Sequence, residues 1–176
     1  MSVPAEVFEQ CLRNEPRGQE VLYKAYASRM FGLCLRYSSN RIEAEDILQE
    51  GFIKVFRSLP TLRSFENFDP WIHRIMVNSA LNYYQQQLKL KNEISLKNEM
   101  PDATIPEDAL SKLSYKELLS ILQGLPTGYR TVFNLHVMEG YNHREIAEML
   151  GVSENTSKTQ LFKAKNRMKK ILTRIL

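Results

Sequence analysis

The chain has 176 residues, 43% of them hydrophobic and 25% charged, a balance that fits a globular protein and excludes a disordered or membrane-buried one. No apolar run approaches the ~20 residues that would cross a bilayer, and Met1 to Glu9 lacks the basic-then-apolar order of a secretory signal, so a cytoplasmic protein is expected. The formal charge of +4 is unevenly placed: residues 1–106 hold 13 Lys and Arg against 13 Asp and Glu, and residues 107–176 hold 11 against 7. Cys11, Cys34, His73, His136 and His143 are too scattered for a zinc spacing, and neither a metal nor a cofactor is expected.

Hydrophobic residues recur at helical spacing almost throughout, and no alternating run suggests a strand, so the fold class is all-α. Leu22, Tyr26, Met30, Leu33 and Tyr37 step by three or four along the buried face of one helix, which Ser38, Ser39 and Asn40 then break. A second helix, near Ile42 to Leu59, buries Ile47, Phe52, Val55 and Phe56. It gathers Glu43, Asp46, Gln49 and Glu50 on another face. Acids at that spacing repel one another by a few tenths of a kcal/mol per pair. A basic partner lying against them would relieve the repulsion, although an ordinary solvated face has the same period.

After Pro60, the loop Thr61 to Asp69 carries Phe65 and Phe68, and Pro70 opens a helix for which Asp69 is a candidate cap. That helix sets Trp71, His73, Arg74, Asn78, Asn82, Tyr83 and Tyr84 close together. Aromatic rings beside amides and a cation suit stacking on bases and bonding to their edges. Ile72, Ile75 and Met76 read as core, and Trp71 fits either role. From Lys89 the apolar pattern thins, and Pro101 and Pro106 each bias the preceding residue away from helix. Residues 89–106 are therefore a linker between a domain at 1–88 and another at 107–176.

The most specific local pattern lies in the last third. Asn142 and Glu145 form an N-x-x-E cap, Ile146, Ala147 and Leu150 follow at helical spacing, and Gly151 stands where a left-handed residue ends a helix. Ser153 caps the next helix, whose inner face is Leu161, Ala164, Met168 and Leu172. Glu154, Asn155, Lys158, Thr159, Phe162, Lys163 and Lys165 lie on its outer side, and from Ser153 onward seven Lys and Arg stand against one acid. A tight helix pair with a basic outer face is a helix-turn-helix that reads duplex DNA in the major groove, with Lys165, Arg167 and Lys169 placed for phosphates.

Taken together, several strings resemble the extracytoplasmic-function sigma factors of the bacterial sigma-70 family. They are Ala44-Glu45-Asp46-Ile47-Leu48-Gln49-Glu50, Pro70-Trp71-Ile72-His73-Arg74-Ile75 with Asn78, Leu125-Pro126 with Arg130 and Gly140, Glu145-Ile146-Ala147, and Leu150-Gly151-Val152-Ser153. The resemblance implies a sigma2-like helical bundle and a sigma4-like helix-turn-helix domain joined by a flexible linker. It implies that Asp46, Gln49 and Glu50 dock on core RNA polymerase. Phe65, Phe68, Trp71, Arg74 and Asn78 would melt and read the minus-ten promoter DNA, with a base flipped out of the stack. Asn155, Lys158, Thr159, Phe162, Lys163 and Lys165 would read the minus-thirty-five element. The expected partners are core polymerase, promoter DNA and an anti-sigma factor, with no membrane insertion, small-molecule substrate or covalent chemistry.

Two positions depart from the family pattern. Gln85, Gln86 and Gln87, followed by Lys89 and Lys91, stand where arginines are common, which predicts weaker phosphate attraction there. Ser157 replaces an apolar residue, often Val, and is expected to shift the packing or gain an internal hydrogen bond. A stand-alone helix-turn-helix regulator is the alternative, but the first domain shows neither a ligand-pocket signature nor a heptad seam. An enzyme acting on nucleic acid lacks paired carboxylates beside a His or metal cluster.

Overall fold

A computed structural model describes residues 3–94 and 115–175, all of whose regular structure is helical. In chain order the helices are α1 (Ala5–Leu12), α2 (Pro16–Tyr37), α3 (Arg41–Ser58), α4 (Phe68–Ile94), α5 (Tyr115–Gln123), α6 (Thr127–Phe133), α7 (His143–Leu150) and α8 (Glu154–Ile175). Two compact units result. One comprises residues 1–35 and 40–83, the other residues 36–39 and 84–176. Of the expected linker, residues 89–94 continue α4, and residues 95–106, with Pro101 and Pro106, lie outside the described residues. None of the described helices is long and apolar enough to cross a membrane.

In the first unit the predicted stripe of α2 is buried: Leu22, Tyr26, Met30 and Leu33 are each at most 6% exposed. The break after α2 doubles as a start signal. Asn40 caps α3 by accepting from the Glu43 amide at 2.9 Å, which satisfies one of the amides left unpaired in a first helical turn. Ala44, Ile47, Leu48, Phe52 and Val55 face inward from α3, and Phe68, Ile72, Met76 and Ala80 from α4.

One boundary differs from expectation. A short 3-10 turn, Phe65–Asn67, precedes α4, and α4 begins at Phe68, so Pro70 lies inside its first turn. There a missing amide costs nothing, because the first amides of a helix have no intrahelical acceptor. Asp69 is an ion-pair partner instead of a cap, taking a 2.8 Å bond from Arg29. Burial, with Asp69 as a secondary cause, pushes the Tyr26 phenol up to about 12. Phe68 explains the early start of the helix. Its ring sits edge-on to Phe8 and Tyr26 at 4.9 and 5.0 Å, and burying it fixes the backbone two residues before the expected start at Pro70.

The second unit carries the helix pair. The capping box is complete, with the Glu145 amide donating to Asn142 at 3.0 Å and the Asn142 amide donating to Glu145 at 2.8 Å. Gly151 takes φ 67° and ψ 36°, the left-handed conformation that only glycine adopts without strain. Ser153 then accepts from the Thr156 amide at 3.0 Å, and α8 runs on against α5, α6 and α7. Leu122, Leu125 and Ala164 form a core cluster flanked by Tyr129, Phe133 and Met168. The fully buried Arg130 donates to the carbonyls of Gln123 and Leu125 at 2.8 and 3.2 Å, which gives a physical reason for an arginine soon after Leu125-Pro126.

The crossing of α3 and α4 is close at Gly51, where a β-carbon would meet the Met76 thioether. A larger group must displace Met76 within a filled core. Gly51→Val is expected to destabilise the first unit by about 1–3 kcal/mol. Chemical denaturation followed by circular dichroism checks this, with Gly51→Ala falling between variant and wild type.

Candidate nucleic-acid interface

On α8 the division of labour is set by burial. Ser157, Leu161 and Ala164 point inward at 0%, 6% and 0% exposure. All the predicted reading residues, Asn155, Lys158, Thr159, Phe162, Lys163 and Lys165, are exposed. Phe162 is 65% exposed, a costly placement for a large ring unless something covers it, and thymine methyl groups are one surface a ring can cover. Lys158 is 3.6 Å from Glu154 one turn earlier. Such an exposed pair contributes little and exchanges readily for a phosphate. Farther along, Lys169 is exposed and Arg167 half-buried.

Ser157 has gained the internal hydrogen bond. Its hydroxyl lies 2.9 Å from Nδ1 of His143, the first residue of α7. The His143 ring stacks on His136 at 4.6 Å and 9°. His136 donates from Nδ1 to the Tyr141 carbonyl at 2.9 Å. His136 lies in a π-helical turn, Asn134–Met138, that continues α6. Sequence reading missed this pair, because residues 136 and 143 belong to different elements and share no periodicity.

The first unit offers two further faces. On α3, Asp46, Gln49 and Glu50 are exposed, while Glu43 is half-buried. Glu50 pairs with Lys54 at 3.3 Å. Ile42 and Ile53, 72% and 53% exposed, share a stripe with Asp46 and Gln49, which lie four and seven residues after Ile42, with Ile53 at eleven. The face is therefore acidic with apolar ends, which composition alone did not reveal. On α4, Arg74 and Asn78 are exposed and Trp71 is half-buried, so these three share one outward stripe. Phe65 is half-buried and stacks on Phe8 at 4.4 Å and 12°. Phe68, expected at a base, is 1% exposed and lies 5.6 Å from the Trp71 ring. It supports Trp71 from behind, because moving it outward would empty the aromatic core.

Comparison with known proteins covers both units. Residues 22–89 match the family model for sigma-70 region 2, and residues 115–168 the one for sigma-70 region 4. The chain is 34% identical to the RNA polymerase sigma factor SigV of Bacillus subtilis strain 168, over 82% of this chain and 84% of that one. It is 29% identical to the ECF RNA polymerase sigma-E factor of Haemophilus influenzae, covering 89% and 88%. It is also 26% identical to the RNA polymerase sigma-H factor of Pseudomonas aeruginosa, covering 97% and 94%. Among solved structures, the sigma factor RpoE of Bartonella quintana, in complex with the anti-sigma factor NepR, has a similar fold. Its TM-score is 0.54 at 20% identity, over 88% of this chain and 96% of that one.

His143 is expected to make the helix-turn-helix sensitive to acid. Partial burial lowers the His143 pKa below its ordinary 6.5, and His136, Lys158 and Lys165 lower it further against the opposing pull of Glu154. The fold thus favours the neutral ring, while the unfolded chain takes up a proton at the ordinary value. The contribution of His143 to stability is therefore expected to be full above about pH 6.5 and to be lost as pH falls below it. In thermal melts at about pH 8 and about pH 5.5, the wild type is expected to lose more stability on acidification than His143→Asn.

Proposed function

The chain belongs to the extracytoplasmic-function branch of the sigma-70 family, and we propose that its promoter recognition is divided between faces on the two units. Sigma factors bind core RNA polymerase and direct it to promoters, and this chain is a transcription initiation factor of that kind. In our reading residues 1–88 dock on polymerase and open the minus-ten element, 89–106 link, and 107–176 read the minus-thirty-five element.

The observation that carries the proposal is the sidedness of α8, whose reading residues are exposed while Ser157, Leu161 and Ala164 are buried. A helix held this way can enter the major groove without giving up its own packing. Asn155, Lys158, Thr159, Phe162 and Lys163 lie toward its leading half, where base edges are reached, and Lys165 follows toward the phosphates.

On α3, Asp46, Gln49 and Glu50 would meet a basic polymerase surface, with Ile42 and Ile53 covered in the same contact. That arrangement fits interfaces in which charge sets register and apolar groups add affinity. On α4, Trp71, Arg74 and Asn78, with Phe65 nearby, would hold a base taken from the melted strand. Preferential binding to the open strand shifts the duplex equilibrium, so this chain needs no covalent chemistry of its own. The polymerase supplies catalysis, and we place the protein with it in the cytoplasm.

Like the Bartonella quintana protein, which is solved with its anti-sigma factor, this chain would be restrained by a partner that covers these faces.

Asp46→Arg combined with Glu50→Arg is expected to abolish co-elution with core polymerase while leaving the melting curve and duplex DNA binding of the full chain unchanged. Persistent co-elution would refute the docking face. Lys163→Ala is expected to weaken promoter binding by holoenzyme and to reduce the slope of log K against log salt by about 1 if Lys163 meets a phosphate. A base contact would instead relax one position of sequence preference. Tight specific duplex binding without polymerase, together with no run-off transcription in its presence, would favour a stand-alone regulator.

A further inference from the structure

Ser157 is 0% exposed and occupies the fourth position of α8, immediately before Lys158 and Thr159 on the outer side. A buried hydroxyl is costly unless it is hydrogen-bonded, so the position demands a partner. His143 supplies it at 2.9 Å, from a backbone fixed by the Asn142–Glu145 capping box. The imidazole itself is held flat by the stacked ring of His136, which is anchored on the Tyr141 carbonyl. A directional chain of contacts thus runs from the π-helical turn, through the start of α7, to the first turn of α8.

An apolar pair at this crossing would resist separation but tolerate rotation, because dispersion has little directional preference. A hydrogen bond weakens steeply with angle, so it also resists roll. Rolling α8 by ~10° about its axis moves an outer side chain by about 1 Å, given the 10–12 Å diameter of a helix with its side chains. Base-edge contacts do not survive a displacement of that size, whereas long flexible lysines follow their phosphates.

We propose that His143 is a positioning residue for promoter reading: through Ser157 it sets the roll of α8, and with it the base specificity at the upstream element. The proposal rests on the assignment of α8 to minus-thirty-five reading. It places a specificity determinant on α7, behind the helix that touches DNA.

The test uses holoenzyme assembled with the full chain and a promoter whose upstream element has been selected from a randomised pool. The quantity measured is the ratio of affinities for that promoter and for single-base variants of its upstream element. An asparagine carries a polar atom near the place of Nδ1, whereas a glutamine reaches toward the place of Nε2. His143→Asn is therefore expected to keep discrimination within about twofold, and His143→Ala and His143→Gln to lower it by about tenfold, with an unchanged salt slope.

Ser157→Ala, which keeps a small helix-favouring residue, is expected to show the same loss. The His143→Ala, Ser157→Ala double variant is expected to be no worse than either single one. Full discrimination by folded His143→Ala and Ser157→Ala would overturn the proposal, as would equal behaviour of the Asn and Gln variants. Thr159→Ala in the same series separates the two readings. If it loses discrimination while the His143 variants do not, only the positioning role fails. If neither loses it, the assignment of α8 to the upstream element fails as well.

Discussion

A helix can face DNA along one side only if the opposite side is committed to its own protein, and in this chain that constraint falls on a few positions of α8. Ser157, Leu161 and Ala164 recur at four and three residues, and each is almost completely enclosed. Everything that makes the outer side available follows from them. Gly151 must turn sharply to bring α8 back against α7, and Ser153 must cap the new helix at the end of a three-residue turn. The basic residues downstream then share one element with the reading residues. In the proposed reading, their field would draw the helix toward a phosphate backbone whatever the sequence of the duplex.

The first unit answers a different demand. It presents two faces from two adjacent helices, the acidic one on α3 and the mixed one on α4, above a shared apolar core. The approach of α3 to α4 at Gly51 and Met76 brings those helices into direct contact. The aromatic residues at the start of α4 divide between a buried Phe68 and a half-buried Trp71. Phe68 closes the core beneath the start of α4, so Trp71, one turn later, rests on a rigid support while part of its ring remains open. For the base-holding role proposed for Trp71, such backing would mean that conformational entropy is lost on folding and not on binding.

How much of this was legible in the sequence depended on whether the determining contacts were local. The helix-turn-helix was written almost entirely in local signals, namely the Asn142–Glu145 cap, the left-handed glycine and the period of the inner face, and those elements appear as expected. The α2 stripe and the exposure of Asp46, Gln49 and Glu50 were equally open to periodicity. The start of α4 was not. Asp69-Pro70 is a reasonable opening on propensity, but Phe68 is held by rings from α1 and α2, and burial extended the helix backward. Ile42 and Ile53 escaped notice because periodicity assigns a lone isoleucine no side until the helix is packed. At Ser157 the sequence posed a question that only the fold could answer, since the partner is fourteen residues away on another helix.

That distance bears on how specificity can change without altering any group that touches DNA. In the proposed reading, phosphate contacts along α8 would provide attraction that is nearly independent of sequence, so discrimination would come from the few side chains aimed at base edges. Their aim is a property of the helix that carries them, and the helix is oriented by its buried side. A hydroxyl at position 157 makes that orientation depend on a polar partner, where a hydrocarbon would make it depend on volume alone. The two solutions differ in kind. One tolerates small rotations and so blurs the reading of neighbouring bases; the other narrows the reading but ties it to the protonation and geometry of an imidazole.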